Sequence, residues 1–278
     1  IALDETTSDL ASKAAIEAIR DAGLSPNDID LIVVATATPD RQAPSCACFV
    51  QKKINAINAV AFDISAVCSG ALYAVCTAMQ FVKTGVYKNV LVIGADTFST
   101  ITDWSRRDSV FFGDGAGAII LSGTNEDKGF IDFSMHTDSV GLDHFTIPGG
   151  GAEQPSSLQT IDSGSHFWQM DGQEIYKTAI DVLPKSINKL LEKNKLTIED
   201  IHCLLPHQPS IRILKDIAAS IGMPFDRVKT NMDRYANTSG GTIPIVLDEV
   251  RKGEGFKPGE IVLMASIGAG MTLSLIHI

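Results

Sequence analysis

The chain has 278 residues, 45% hydrophobic and 20% charged, enough for one large α/β unit or two coupled half-domains with a full core. Its formal net charge of −10 and pI near 5.0 argue against broad binding to a phosphate backbone, which needs clustered Lys and Arg. No run reaches the eighteen apolar residues of a membrane span. The opening IALDETTSDLASKAA is acidic and rich in Ser and Thr, unlike a secretory signal, so a cytoplasmic location is expected.

The first predicted element is a helix capped by Ser8 or Asp9, with Leu10, Ala14, Ile16 and Ile19 on its apolar face. Because Ile1 stands directly before it without a methionine, an upstream element is expected to be missing. Apolar strand runs then alternate with helical stretches: DLIVVATAT, AVAFDIS, NVLVIGA and GAIILS, later IHCLLPH and EIVLMASIG. The alternation predicts an α/β fold with mainly parallel sheets. The last six residues, LSLIHI, coincide with the translation of a common sequencing-library transposon adapter, so residues 273–278 are expected to be foreign to the protein.

The chain also repeats itself. Leu24, Asp28 and Ile29 match Leu196, Asp200 and Ile201, each pair 172 positions apart, and NVLVIGA matches EIVLMAS at an offset of 171. A near-constant offset implies a duplicated α/β unit with pseudo-twofold symmetry. The same offset carries Cys68 to Gly240, so the helix after Cys68 should have a mate starting near Gly240, with Asn237 in the turn before it. His207 follows a strand of the second half. These three residues should meet at the seam between the halves.

Cys68 sits where AVAFDIS turns into a very apolar helix, and unpaired amides at a helix start stabilise a thiolate. The competing reading is a buried core thiol, which Cys76, beside Leu72, Val75 and Met79, represents. Cys46, Cys48, Cys68, Cys76 and Cys203 fit neither a disulfide framework nor a four-ligand zinc site, so free thiols and no metal are expected. His207 lies between Pro206 and Pro209, as a structural histidine or a catalytic one. Asn237 reads as a turn former or as an N–H donor to an oxyanion. The glycines of FFGDGAGAIIL precede a strand rather than open a helix, which favours tight packing over phosphate binding. SINK, Ser186 to Lys189, falls mid-helix and imitates a Ser-x-x-Lys dyad by coincidence.

Taken together, DISAVCSGALYA, FGDGAGAIIL, PHQPSIRI, NTSGGTIPIVLDE and IGAG resemble, in order and spacing, the β-ketoacyl-acyl carrier protein synthase III family of thiolase-fold condensing enzymes. The likeness runs from about residue 1 to 272. It implies a thiolase fold, with two pseudo-twofold-related α/β halves in a layered αβαβα sandwich: a half at 1–135, a connecting region at 136–169 and a second half at 170–278. It implies a decarboxylating Claisen condensation of an acyl-CoA starter with malonyl-acyl carrier protein in fatty-acid or related biosynthesis. Cys68 would carry the acyl group, and His207 and Asn237 would hydrogen-bond the malonyl thioester oxygen. Backbone amides of Cys68 and Ala269 would form the oxyanion hole. Arg106 matches an arginine that packs on the CoA adenine, and Arg212 a carrier-protein docking residue. A homodimer and no permanently bound cofactor are implied as well.

The chain departs from the family pattern in several places. Roughly fifty leading residues of the family are absent. Ser210 replaces an Asn that contacts the CoA arm, and Ala43 replaces a Phe that reaches across the dimer into the partner's acyl pocket. Ala219 and Ser220 stand where lysines usually follow the docking arginine. Rival readings are a secondary-metabolism acyltransferase or ketone- or quinolone-forming relative, and a non-catalytic thiolase-fold partner protein.

Overall fold

The computed structural model describes residues 1–126 and 128–278. The first part runs α1 (Thr7–Asp21), β1 (Leu31–Ala35), α2 (Cys46–Ile54), β2 (Val60–Ile64), α3 (Gly70–Lys83), β3 (Asn89–Thr97), β4 (Asp114–Ser122). It continues through β5 (Asp132–Thr137), β6 (Phe145–Thr146), α4 (Leu158–Asp162) and β7 (Gln169–Met170). The last part runs α5 (Gly172–Lys193), β8 (Ile201–Pro206), α6 (Ile211–Ile221), α7 (Met232–Tyr235), α8 (Thr242–Lys252), β9 (Ile261–Gly268) and β10 (Thr272–His277).

One four-stranded sheet has the order β2-β1-β3-β4 and the other β5-β10-β9-β8, while β6 and β7 form a separate two-stranded sheet. The β1–β2, β1–β3 and β8–β9 pairs are parallel, whereas β3–β4, β9–β10 and β10–β5 are antiparallel. The sheets are therefore mixed, not mainly parallel as the alternation predicted. GAIILS has no helical crossover before it: a loop with short 3-10 turns returns the chain from β3, which sets β4 antiparallel beside it.

Apolar faces on both sides of each sheet dictate the layers. Ala11, Ala15 and Ile19 of α1 and Val50 of α2 pack with Ile32, Val34, Leu91 and Ile93 on one face of the first sheet. Leu72 and Val75 of α3 and Ile243 and Val246 of α8 fill the middle, between Val33 and Val92 of one sheet and Leu205, Val262 and Met264 of the other. Leu183 and Ile187 of α5 with Leu214 and Ile217 of α6 cover the far face of the second sheet. The result is a five-layer αβαβα sandwich. The middle layer is buried on both sides, so α3 is mostly apolar, its polar residues being Tyr73, Thr77, Gln80 and Lys83. Each such Leu or Ile contributes about 1.5–3 kcal/mol by leaving water.

The duplicated motif reappears as structure. The 3-10 turns Pro26–Asp28 and Ile198–Asp200 lie 172 residues apart. Asp28 accepts from Ser25 N at 2.8 Å, and Asp200 from Thr197 N at 2.7 Å. The turns Val67–Ser69 before α3 and Ser239–Gly241 before α8 repeat at the same offset. Their first residues, Val67 and Ser239, both have left-handed φ, +45° and +50°. The two turns face each other across the seam, a Cβ on Gly240 lying 3.6 Å from Val67 O, and a Cβ on Gly94 of β3 would lie 2.0 Å from Gly240 O.

Helix α1 starts earlier than predicted. Thr6, not Ser8 or Asp9, is its N-cap, because Asp9 at the third helical position accepts from Thr6 N at 3.0 Å and Thr6 Oγ1 at 2.7 Å. Ser8 is buried instead, and Ile16 faces solvent.

Candidate active site

Cys68 is the middle residue of the turn between β2 and α3. The preceding Val67 is β-branched at positive φ, a strained conformation kept only where neighbours over-determine it. Gly268 at the end of β9 supplies that constraint: a Cβ there would lie 2.8 Å from Ser69 N and 2.9 Å from Ala66 O. Ser266 Oγ donates to Cys68 O at 2.9 Å. Burial pushes the Cys68 thiol up to about 12, and the buried Asp96 carboxyl acts in the same direction. The expected lowering by the helix start is thus outweighed by desolvation in an enclosed site, and resting Cys68 is a thiol.

Asn237 is 7% exposed and is clamped through its backbone, its N–H donating to Phe111 O at 3.0 Å while its C=O accepts from Gly113 N at 2.9 Å. Its Oδ1 accepts from Ser239 N at 2.8 Å. A backbone N–H can only donate, so the amide is oriented with its oxygen in the turn and its NH2 group left for the cavity.

His207 follows β8 and is 4% exposed, with its N–H donating to Ala265 O at 2.8 Å. Nδ1 lies 2.9 Å from Thr242 Oγ1. Burial lowers the imidazole to about 3, which keeps it neutral at ordinary pH.

Cys68, His207 and Asn237 line one cavity of about 540 Å3, together with Ser210, Arg212 and Ala269. The seam expected from the repeat is therefore where these side chains meet. Phe112 and Phe145 form an apolar wall, backed by Trp168, whose ring lies 4.8 Å from that of Phe112. Ser210 caps α6, its Oγ accepting from Ile213 N at 3.2 Å. Arg212 stands at the rim, 79% exposed along its side chain, with its guanidinium 4.8 Å from the Tyr176 ring centroid. The Ala269 N–H has no protein acceptor among the described residues.

Two predicted positions lie outside the cavity lining. Arg106 sits 4.7 Å over Trp168 and pairs with Asp108. Ala43 is exposed, in the loop before α2.

Sequence reasoning missed Asp96 and Thr242. Asp96 is fully buried, accepting from Ala37 N at 2.7 Å, Thr38 Oγ1 at 2.9 Å and, across the seam, Gly240 N at 3.0 Å. An aspartate ending an otherwise apolar strand was the available signal. The glycines of FFGDGAGAIIL do pack tightly, since a Cβ on Gly117 would lie 2.6 Å from Pro244 Cβ.

A five-layer sandwich of two mixed sheets, with an apolar cavity at the seam of a repeated turn, defines the thiolase-fold class. Residues 62–139 match the family 3-oxoacyl-[acyl-carrier-protein (ACP)] synthase III, and residues 191–278 match the C-terminal region of the same family. The chain is 43% identical to the beta-ketoacyl-[acyl-carrier-protein] synthase III of Caldanaerobacter subterraneus subsp. tengcongensis, over 96% of this chain and 81% of that protein. It is 44% identical to that of Clostridioides difficile, over 96% and 82%. The crystal structure of 3-oxoacyl-[acyl-carrier-protein] synthase III from Aquifex aeolicus superposes with a TM-score of 0.92 at 36% identity, covering all of this chain and 85% of the other. The chain belongs to the 3-oxoacyl-[acyl-carrier-protein] synthase III family and is a condensing acyltransferase. These alignments span 81–85% of the relatives' own lengths.

Proposed function

We propose that the enzyme transfers an acyl group from acyl-CoA to Cys68 and condenses it with malonyl-acyl carrier protein, releasing CO2, in fatty-acid or related biosynthesis. The carrying observation is that Cys68, His207 and Asn237, contributed by both halves, face one largely apolar cavity. The Cys68 sulfur attacks the acyl carbonyl, and the oxyanion is held by the amides of Cys68 and Ala269. Asn237 donates its NH2 to the malonyl thioester oxygen as charge builds there with loss of CO2. A donor fixed in a site away from water stabilises that enolate better than bulk solvent does. His207 borders the same reacting atoms and donates to that oxygen only when its Nε2 carries a proton.

Arg212 at the rim is suited to carrier-protein docking, and Ser210 just inside to the CoA arm. Arg106, on Trp168, offers a face for the adenine. The halves at 1–135 and 170–278, joined by 136–169, act as one unit, and no permanently bound cofactor is required. We place the enzyme in the cytoplasm; among the described residues no helix is long and apolar enough to cross a membrane. The acting form is a homodimer: among the described residues β2 ends its sheet with an unpaired edge and Val60 exposed there, a surface that pairing with a second copy would cover. In that dimer Ala43 meets the partner's acyl pocket, and its small size admits a longer or branched chain.

The test separates the half-reactions. Acyl-CoA is added and the protein weighed intact, and CO2 release from malonyl-acyl carrier protein is followed separately. Cys68 gains one acyl mass in the wild type, whereas Asn237→Ala acylates but releases CO2 poorly. Equal loss of both steps in Asn237→Ala would overturn its assignment.

A further inference from the structure

Thr242 is the first residue of α8, 2% exposed, and its hydroxyl stands between two groups. Its Oγ1 lies 2.8 Å from Ser239 O and 2.9 Å from His207 Nδ1. Ser239 O also accepts the Thr242 backbone N–H, and the hydroxyl has one hydrogen, which lies either on Ser239 O or toward Nδ1. With the hydrogen on Ser239 O, Oγ1 accepts from His207 and Nδ1 carries the ring proton. The ring is neutral and has one N–H, so Nε2 holds a lone pair. Among the described residues Nε2 makes no protein hydrogen bond, and the ring borders the cavity shared with Cys68.

We propose that Thr242 is a positioning residue that locks His207 in the Nδ1–H tautomer, so that an unprotonated Nε2 serves Cys68 as its proton acceptor during acyl transfer. The inference rests on the acyl-transfer reading of the site and adds to it a residue and a direction of proton flow. Cys68, half-buried in the cavity wall, rests as a thiol and needs a base to become a nucleophile. Its Sγ–H proton passes to Nε2, directly or through one water, as Sγ bonds to the acyl carbon. When the carbon–sulfur bond of acyl-CoA breaks, Nε2 returns that proton to the departing CoA sulfur. CoA leaves as the thiol, the ring is neutral again, and no outside reactant is consumed. The tautomer leaves Asn237 as the side-chain donor available to the malonyl thioester oxygen in the resting acyl-enzyme.

The test compares wild type, Thr242→Ser and Thr242→Val. Protein labelled with 15N-histidine, with His207 assigned by its loss in His207→Ala, reports the tautomer directly. The expected wild-type spectrum at neutral pH has His207 Nε2 at the position of a bare ring nitrogen and Nδ1 at that of a protonated one. Thr242→Ser keeps this pattern. Thr242→Val removes the acceptor for Nδ1–H and shifts Nε2 toward the protonated position. Single-turnover acylation of Cys68, followed by intact mass, slows by roughly a hundredfold in Thr242→Val at saturating acyl-CoA, with the half-saturating concentration unchanged and the serine variant near wild type. A protonated Nε2 in the wild type overturns the proposal, as does a valine variant that acylates at the wild-type rate. If the valine variant does not fold, the wild-type and serine spectra decide. If wild-type Cys68 takes no acyl group, the acyl-transfer reading fails, while the spectrum still decides the tautomer.

Discussion

The turns Val67–Ser69 and Ser239–Gly241 share a backbone: each opens on a residue at positive φ and runs into a helix of the middle layer. Their side chains differ. The first carries Cys68 where the second has Gly240, and Gly70 in the first corresponds to Thr242 in the second. Duplication supplied one scaffold twice, and substitution divided the labour: one copy presents the sulfur, while the other orients His207 and Asn237. Packing favours the asymmetry, because a Cβ on Gly240 would lie 3.3 Å from both Ala35 O and Asp96 Oδ2, while the Gly240 carbonyl leaves no room for one on Gly94.

The largest effect should come from removing what only the first copy has. Cys68→Ala should abolish both the acyl-mass shift and condensation, measured by intact mass and by product formation. Next, Asn237→Ala in the second copy should lower decarboxylation about a hundred- to thousandfold while acylation stays within a few-fold. A parallel fall in acylation would show that the two turns do not divide the steps.

A smaller effect concerns the contact that keeps the copies apart in character. Gly94→Ala places a methyl 2.0 Å from Gly240 O, and overpacking of this kind should cost roughly 3 kcal/mol in urea unfolding. An unchanged midpoint would mean that the seam relaxes freely. The smallest effect, taken per pH unit, is acid sensitivity. His207 is held at about 3 against an ordinary 6.5, so between those values the unfolded chain binds the extra proton. Stability should therefore be fully present above pH 6.5 and fall as pH drops toward 3, by up to about 1.4 kcal/mol per pH unit from this group. His207→Gln should flatten that slope in urea unfolding measured across pH; an identical slope in both proteins would remove His207 as the cause.

Much of this architecture was legible in the sequence. The 172-residue offset located both turns, and strand ends and helix starts put Cys68, His207 and Asn237 on one seam. Strand direction was not legible, since β4 has the composition of its parallel neighbours and only the lack of a crossover helix sets it antiparallel. The Cys68 proton affinity was misjudged, because a helix start is visible in sequence whereas the enclosure of a cavity is not. Thr242 escaped notice because its role depends on one hydroxyl facing a histidine 35 positions away.

The buried bond from Gly240 N to Asp96 fastens the two halves at their seam, where β9 and the Cys68 turn also interlock. Neither half can swing away without taking Gly240 N from a buried carboxylate whose other partners, Ala37 and Thr38, lie in its own half. Amide protons along this seam should therefore exchange with solvent only when the entire molecule unfolds, so that ligand access depends on the rim and never on a hinge between the halves.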